Sequence, residues 1–67
     1  MVIQFKEFLH LHDITVRMLW DAMFLRGHSM SYKDLARYGR CYQRDNKPRW
    51  KQIEECLKDD FGIELPW

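Results

Sequence analysis

Seven cations fall within residues 33–51: Lys33, Arg37, Arg40, Arg44, Lys47, Arg49 and Lys51. Only Asp34 and Asp45 oppose them, so the segment carries a net +5. Tyr38, Tyr42 and Trp50 are interleaved with these cations. Lysine and arginine neutralise phosphates and release condensed counterions. Tyrosine can hydrogen-bond phosphate or stack on bases. The chemistry this pattern supports is contact with a nucleic-acid backbone.

Charge is segregated along the rest of the chain. Residues 1–32 sum to zero and residues 52–67 to −4, which leaves +1 for the 67 residues. The acidic part holds Glu54, Glu55, Asp59 and Asp60. A helix gains from anions in its first turn and cations in its last. A helix over 48–60 has the reverse order. Self-stabilisation explains that order poorly, and a partner explains it better. On this reading the four carboxylates form a solvated face pointing away from the nucleic acid.

Other chemistry finds less support. His10 and His12 are two residues apart, which puts them on different faces of a helix. Cys41 and Cys56 lack a C-x-x-C companion, so they are read as reduced thiols, with Cys56 filling core space and Cys41 exposed. No phosphate-cradling glycine loop, nucleophile elbow or metal-binding acidic run occurs. No enzymatic activity, metal or cofactor is expected. No apolar run approaches the roughly 18 residues that span a bilayer, and the N-terminus does not read as a signal peptide. The expected location is cytoplasmic, with no membrane partner.

Helical spacing of the apolar residues runs through the chain. Phe5, Phe8, Leu9 and His12 recur at helical spacing and predict a helix over 3–11. Val16, Leu19, Trp20, Met23 and Phe24 predict a second over 14–26, capped by Asp13 or Thr15 and closed by Gly27. Ser31 as cap, Asp34 in the first turn and a Met30–Leu35 staple predict a third over 32–38, ended by Gly39. Pro48 suits the first turn of a fourth over 48–60, with Trp50, Ile53 and Leu57 inward and Gly62 as the stop. That helix would present Lys47, Arg49 and Lys51 at its N-terminal end. Ile63 can fold back on Leu57, and the tail after Gly62 is either a short strand or extended. The fold class is a small all-α, four-helix single domain.

YKDLARYG resembles the opening of bacterial helix-turn-helix and winged-helix repressors, with Leu35 as the core leucine and Ala36 as the small crossing residue. The resemblance covers residues 14–57. It departs from the family pattern twice: Gly39 follows Ala36 by three residues rather than four, and the apolar pair of the second helix, Trp50 and Ile53, comes four residues late. The resemblance implies a DNA-binding regulator in which the fourth helix enters the major groove. Lys33, Arg37, Arg40, Tyr42, Arg44, Lys47, Arg49 and Lys51 are the candidate duplex-DNA contacts. A competing expectation is a small inhibitor, adaptor or antitoxin-like module that docks the same basic face on an acidic protein surface. Single-stranded nucleic acid or RNA is a third, without a visible signature. Trp67 lies on no periodic face and either packs back or serves a partner contact; a homodimer is compatible with either.

Overall fold

The computed structural model describes residues 3–65; Pro66 and Trp67 lie outside the described residues, and with them the expectation for Trp67. Four α-helices follow one another: α1 (Phe5–Leu11), α2 (Val16–Leu25), α3 (Tyr32–Gly39) and α4 (Trp50–Cys56). The chain continues from α4 into one π-helical turn, Leu57–Phe61. Among the described residues there is no strand, and residues 62–65 form a non-helical tail.

Local signals explain most of the boundaries. The Thr15 hydroxyl accepts from the Met18 N–H at 3.1 Å and caps α2. Asp13, the other candidate cap, does something different. It takes φ 59 and closes α1. The Asp13 N–H donates to the His10 carbonyl at 3.0 Å, and the Ile14 N–H to that of Leu9 at 2.9 Å. This is a Schellman closure, in which a left-handed residue turns the chain and orphan carbonyls are satisfied. Aspartate tolerates the left-handed region better than most side chains. Gly27, at φ 85, ends α2 in the same way, with the His28 N–H on the Met23 carbonyl at 3.1 Å.

Ser31 caps α3, its hydroxyl accepting from the Asp34 N–H at 3.2 Å. Met30 and Leu35, the staple pair, are both buried. Gly39 is not the terminator that its type suggests. It is the last residue of α3, buried, and free of positive φ. A Cβ there would stand 3.3 Å from the Lys6 Cβ and 3.6 Å from Val16 Cγ2. Its glycine serves the close approach of α3 to α1 and to the start of α2.

The fourth helix starts later than expected. Pro48 and Arg49 form a turn, and the helix begins at Trp50. The Arg49 N–H donates to the Tyr38 hydroxyl at 3.3 Å, which anchors that turn to α3. Trp50 packs edge-on to Phe5 and Tyr38, with ring centroids 5.3 and 5.0 Å away. Gly62, at φ 67, stops the π turn, and the Ile63 N–H reaches back to the Leu57 carbonyl at 3.1 Å. All four helices and the π turn supply one core, in which Phe5, Leu9, Leu19, Leu35, Ile53, Cys56 and Leu57 are almost wholly sealed from solvent.

Candidate nucleic-acid interface

Lys33 and Arg37 on α3 and Arg40 at its C-cap, still near helical backbone angles, are spaced i, i+4, i+7 and therefore share one stripe. All three are exposed, while Leu35, Tyr38 and Gly39 bury the opposite face. Arg37 also lines a concavity of about 260 Å³ with Lys47 and Arg49. Its floor includes Met30, Tyr38 and Pro48, and Asp34 sits on the rim. Asp34 stands 4.0 Å from the Arg37 guanidinium, both side chains being well exposed. An ion pair so long and so exposed is worth little, so Arg37 keeps its capacity for an external anion.

The loop between α3 and α4 is organised around Asp45. Its carboxylate accepts from the Lys47 N–H at 2.9 Å and from the Trp50 indole N–H at 2.8 Å. The Lys47 ammonium bonds the same carboxylate. The Cys41 thiol approaches it at 3.4 Å. Lys47, then the Trp50 indole, hold the Asp45 carboxyl well below the usual carboxylate range. Asp45 in turn raises the Lys47 ammonium. Burial pushes the Cys41 thiol up, and its hydrogen bond to Asp45 adds to the effect. The Lys47 ammonium also lies 5.8 Å from the centre of the Tyr38 ring. Lys47 is therefore engaged on several sides and acts mainly as a tie within the loop.

The eight candidate residues separate into three groups. Lys33, Arg37 and Arg40 form the stripe, and Arg37 and Arg49 line the adjoining concavity. Lys47 belongs to the same concavity but is committed to Asp45. Arg44, Tyr42 and Lys51 lie apart from its lining. The Arg44 guanidinium meets the Glu54 carboxylate of α4 at 2.8 Å. Tyr42 is about half exposed in the loop, and Lys51 is exposed on α4. Because the helix starts at Trp50, Lys47 and Arg49 precede it instead of forming its first turn.

The acidic residues of the last segment are not a bare solvated face. Glu54 binds Arg44. Arg26, at the end of α2, holds Asp60 at 3.0 Å and Asp59 at 3.2 Å. The Arg26 guanidinium, chiefly through hydrogen bonding, lowers the Asp60 carboxyl. Asp60 also lies 3.3 Å from the buried Cys56 thiol. Burial first, then the hydrogen bond to Asp60, pushes that thiol up to about 12.

Asp45 and Glu54 are the residues that residue-type reasoning missed. Asp45 had a local signal: an aspartate often bonds the backbone N–H two residues on. Glu54 had none, since its partner lies ten residues away across an irregular loop.

Both cysteines are free thiols. Among the described residues no group of three or more His, Cys, Asp or Glu side chains is placed to hold a metal ion. No helix there is long and apolar enough to cross a membrane. No protein-family model matches the chain, and no curated protein or solved structure proved similar to it.

Proposed function

We propose that the protein binds duplex DNA along the exposed face of α3, with Lys33, Arg37, Arg40 and Arg49 on the phosphate backbone. The observation that carries this reading is the shared stripe of Lys33, Arg37 and Arg40, joined by Arg49 across the concavity. Tyr42 and Lys51 extend the contact at its margins. Arg44 and Lys47 shape the loop rather than bind. The contact is mainly electrostatic, so it positions the protein on the duplex more than it reads sequence. A regulatory role, as in helix-turn-helix repressors, follows if such binding occludes or recruits at a promoter. The reading includes no catalytic step, and it suits a cytoplasmic protein.

Fluorescence anisotropy with a labelled duplex at two salt concentrations tests it. Binding should weaken steeply with salt, since each neutralised phosphate contributes a slope of about −0.9 in log K against log salt. Arg37→Ala and Arg49→Ala should each reduce that slope by about one. No detectable binding at low salt sinks the proposal.

The apolar floor of Met30, Tyr38 and Pro48 favours a second reading, an acidic protein surface on the same face. A phosphate backbone has no use for that floor, whereas a protein side chain does. Binding of a Glu/Asp-rich peptide carrying one aromatic residue, without duplex binding, would select it.

A further inference from the structure

A second surface is built differently from the basic face. Alongside α1 runs an open groove of about 750 Å³, lined by Ile3, Ile14 and Val16, with Leu11 at its edge and Tyr32 reaching it from the start of α3. Leu11 is 73% exposed there. Its rim carries Lys6, Glu7 and His10, so a cation, an anion and an imidazole follow one another along one helix. Exposed apolar side chains gathered along one groove, instead of scattered singly, make it a candidate contact surface.

The rim chemistry selects the occupant. A two-fold interface uses the same patch on both subunits, so the patch must be complementary to itself. A face with one sign of charge, such as Lys33, Arg37, Arg40 and Arg49, repels its own copy. An apolar floor bordered by adjacent lysine and glutamate does not, because each copy can set its Glu7 against the other's Lys6. A strongly acidic or strongly basic partner would instead leave one of these two charges opposed by its like.

We propose that a second copy of this chain covers the α1 groove, forming a two-fold dimer in which Leu11 of each copy packs on the apolar floor of the other and Lys6 and Glu7 pair across the interface. This does not depend on what the α3 face binds.

Sedimentation velocity on the full chain across a concentration series tests the proposal, with far-UV circular dichroism to confirm that each variant folds. The wild-type chain should pass from monomer to dimer as concentration rises. Leu11→Glu, at an exposed position, should leave a folded monomer. Lys6→Glu and Glu7→Lys each give the rim one dominant sign, and each should weaken self-association by about tenfold or more. An equimolar mixture of these two variants should recover it as a heterodimer. A wild-type chain that stays monomeric throughout overturns the proposal. So does a dimer indifferent to Leu11→Glu, or a mixture that associates no better than its components. Duplex binding is read separately by anisotropy, so failure here leaves the α3 reading standing, and failure there leaves the dimer.

Discussion

The Trp50 indole donates to the Asp45 carboxylate at 2.8 Å, linking the most polar loop of the chain to the aromatic centre of its core. The same carboxylate receives the backbone and the ammonium of Lys47. Asp45→Ala removes these three bonds and the Cys41 thiol contact as well, and should lower the melting temperature and weaken duplex binding together, since the loop carries Arg49 into the α3 face. Asp45→Asn keeps an oxygen for the indole and should fall between the two. Thermal melts and anisotropy on the same samples check this.

Acid should expose the same tie. Asp45 and Asp60 both titrate below the ordinary carboxylate range, held down by Lys47 and Arg26. A carboxyl whose folded value is depressed stabilises fully above its unfolded value of about 3.9 and loses that contribution as pH falls through the folded value. Melting temperature should therefore hold steady at neutral pH and decline below about pH 4. Asp45→Asn and Asp60→Asn should each make that decline shallower.

On the alkaline side Cys41 and Lys47 are also raised, but the most strongly raised thiol is Cys56, sealed in the core and pushed up to about 12. A thiol raised in the folded state favours folding fully below its unfolded value of about 8.5. The contribution is lost as pH rises from there through the folded value. Stability should fall across that window, and Cys56→Ala should be less stable at neutral pH, by about 1 kcal/mol, yet flatter against alkali. Iodoacetamide followed by mass spectrometry should find Cys56 unmodified in the folded protein and modified after unfolding.

Gly39 should tolerate no branched side chain. Gly39→Val forces a branched side chain into the gap between α3 and Lys6 and should cost about 1–3 kcal/mol by chemical denaturation. Gly39→Ala gains about 1 kcal/mol of helix propensity. The 3.3 Å approach to the Lys6 Cβ opposes that gain, so the net change should be small.

Arg44 is withheld from the α3 face by Glu54. Arg44→Ala should change the salt slope of duplex binding less than Arg37→Ala does. Glu54→Gln releases Arg44 and should steepen the slope by up to about 0.9, one added phosphate contact. Equal slopes for Arg44→Ala and Arg37→Ala would contradict the division of roles drawn between these arginines.

The existence of the four helices, the Ser31 cap, the stops at Gly27 and Gly62, and the inward positions of Leu19, Leu35, Trp50 and Ile53 were legible in the sequence, while the cap of α2 stayed open between Asp13 and Thr15. Each of these depends on neighbours within one or two helical turns, so spacing and residue type carry the information. The purpose of Gly39 was not legible there, because the segment it makes room for, at Lys6, lies more than thirty positions away. The same holds for Arg26 with Asp60, paired across 34 positions. Asp13 shows the limit even at short range: one aspartate suits both a helix start and a left-handed helix end, and here it takes the second, with Ile14 buried and bonded back to the Leu9 carbonyl. Seven cations in a row of residues could be counted in advance. Lys33, Arg37 and Arg40 share a stripe by helical spacing alone. Which of the other cations are tied within the protein depended on Asp45, placed by its own loop, and on Glu54, brought to Arg44 where α4 packs beside that loop.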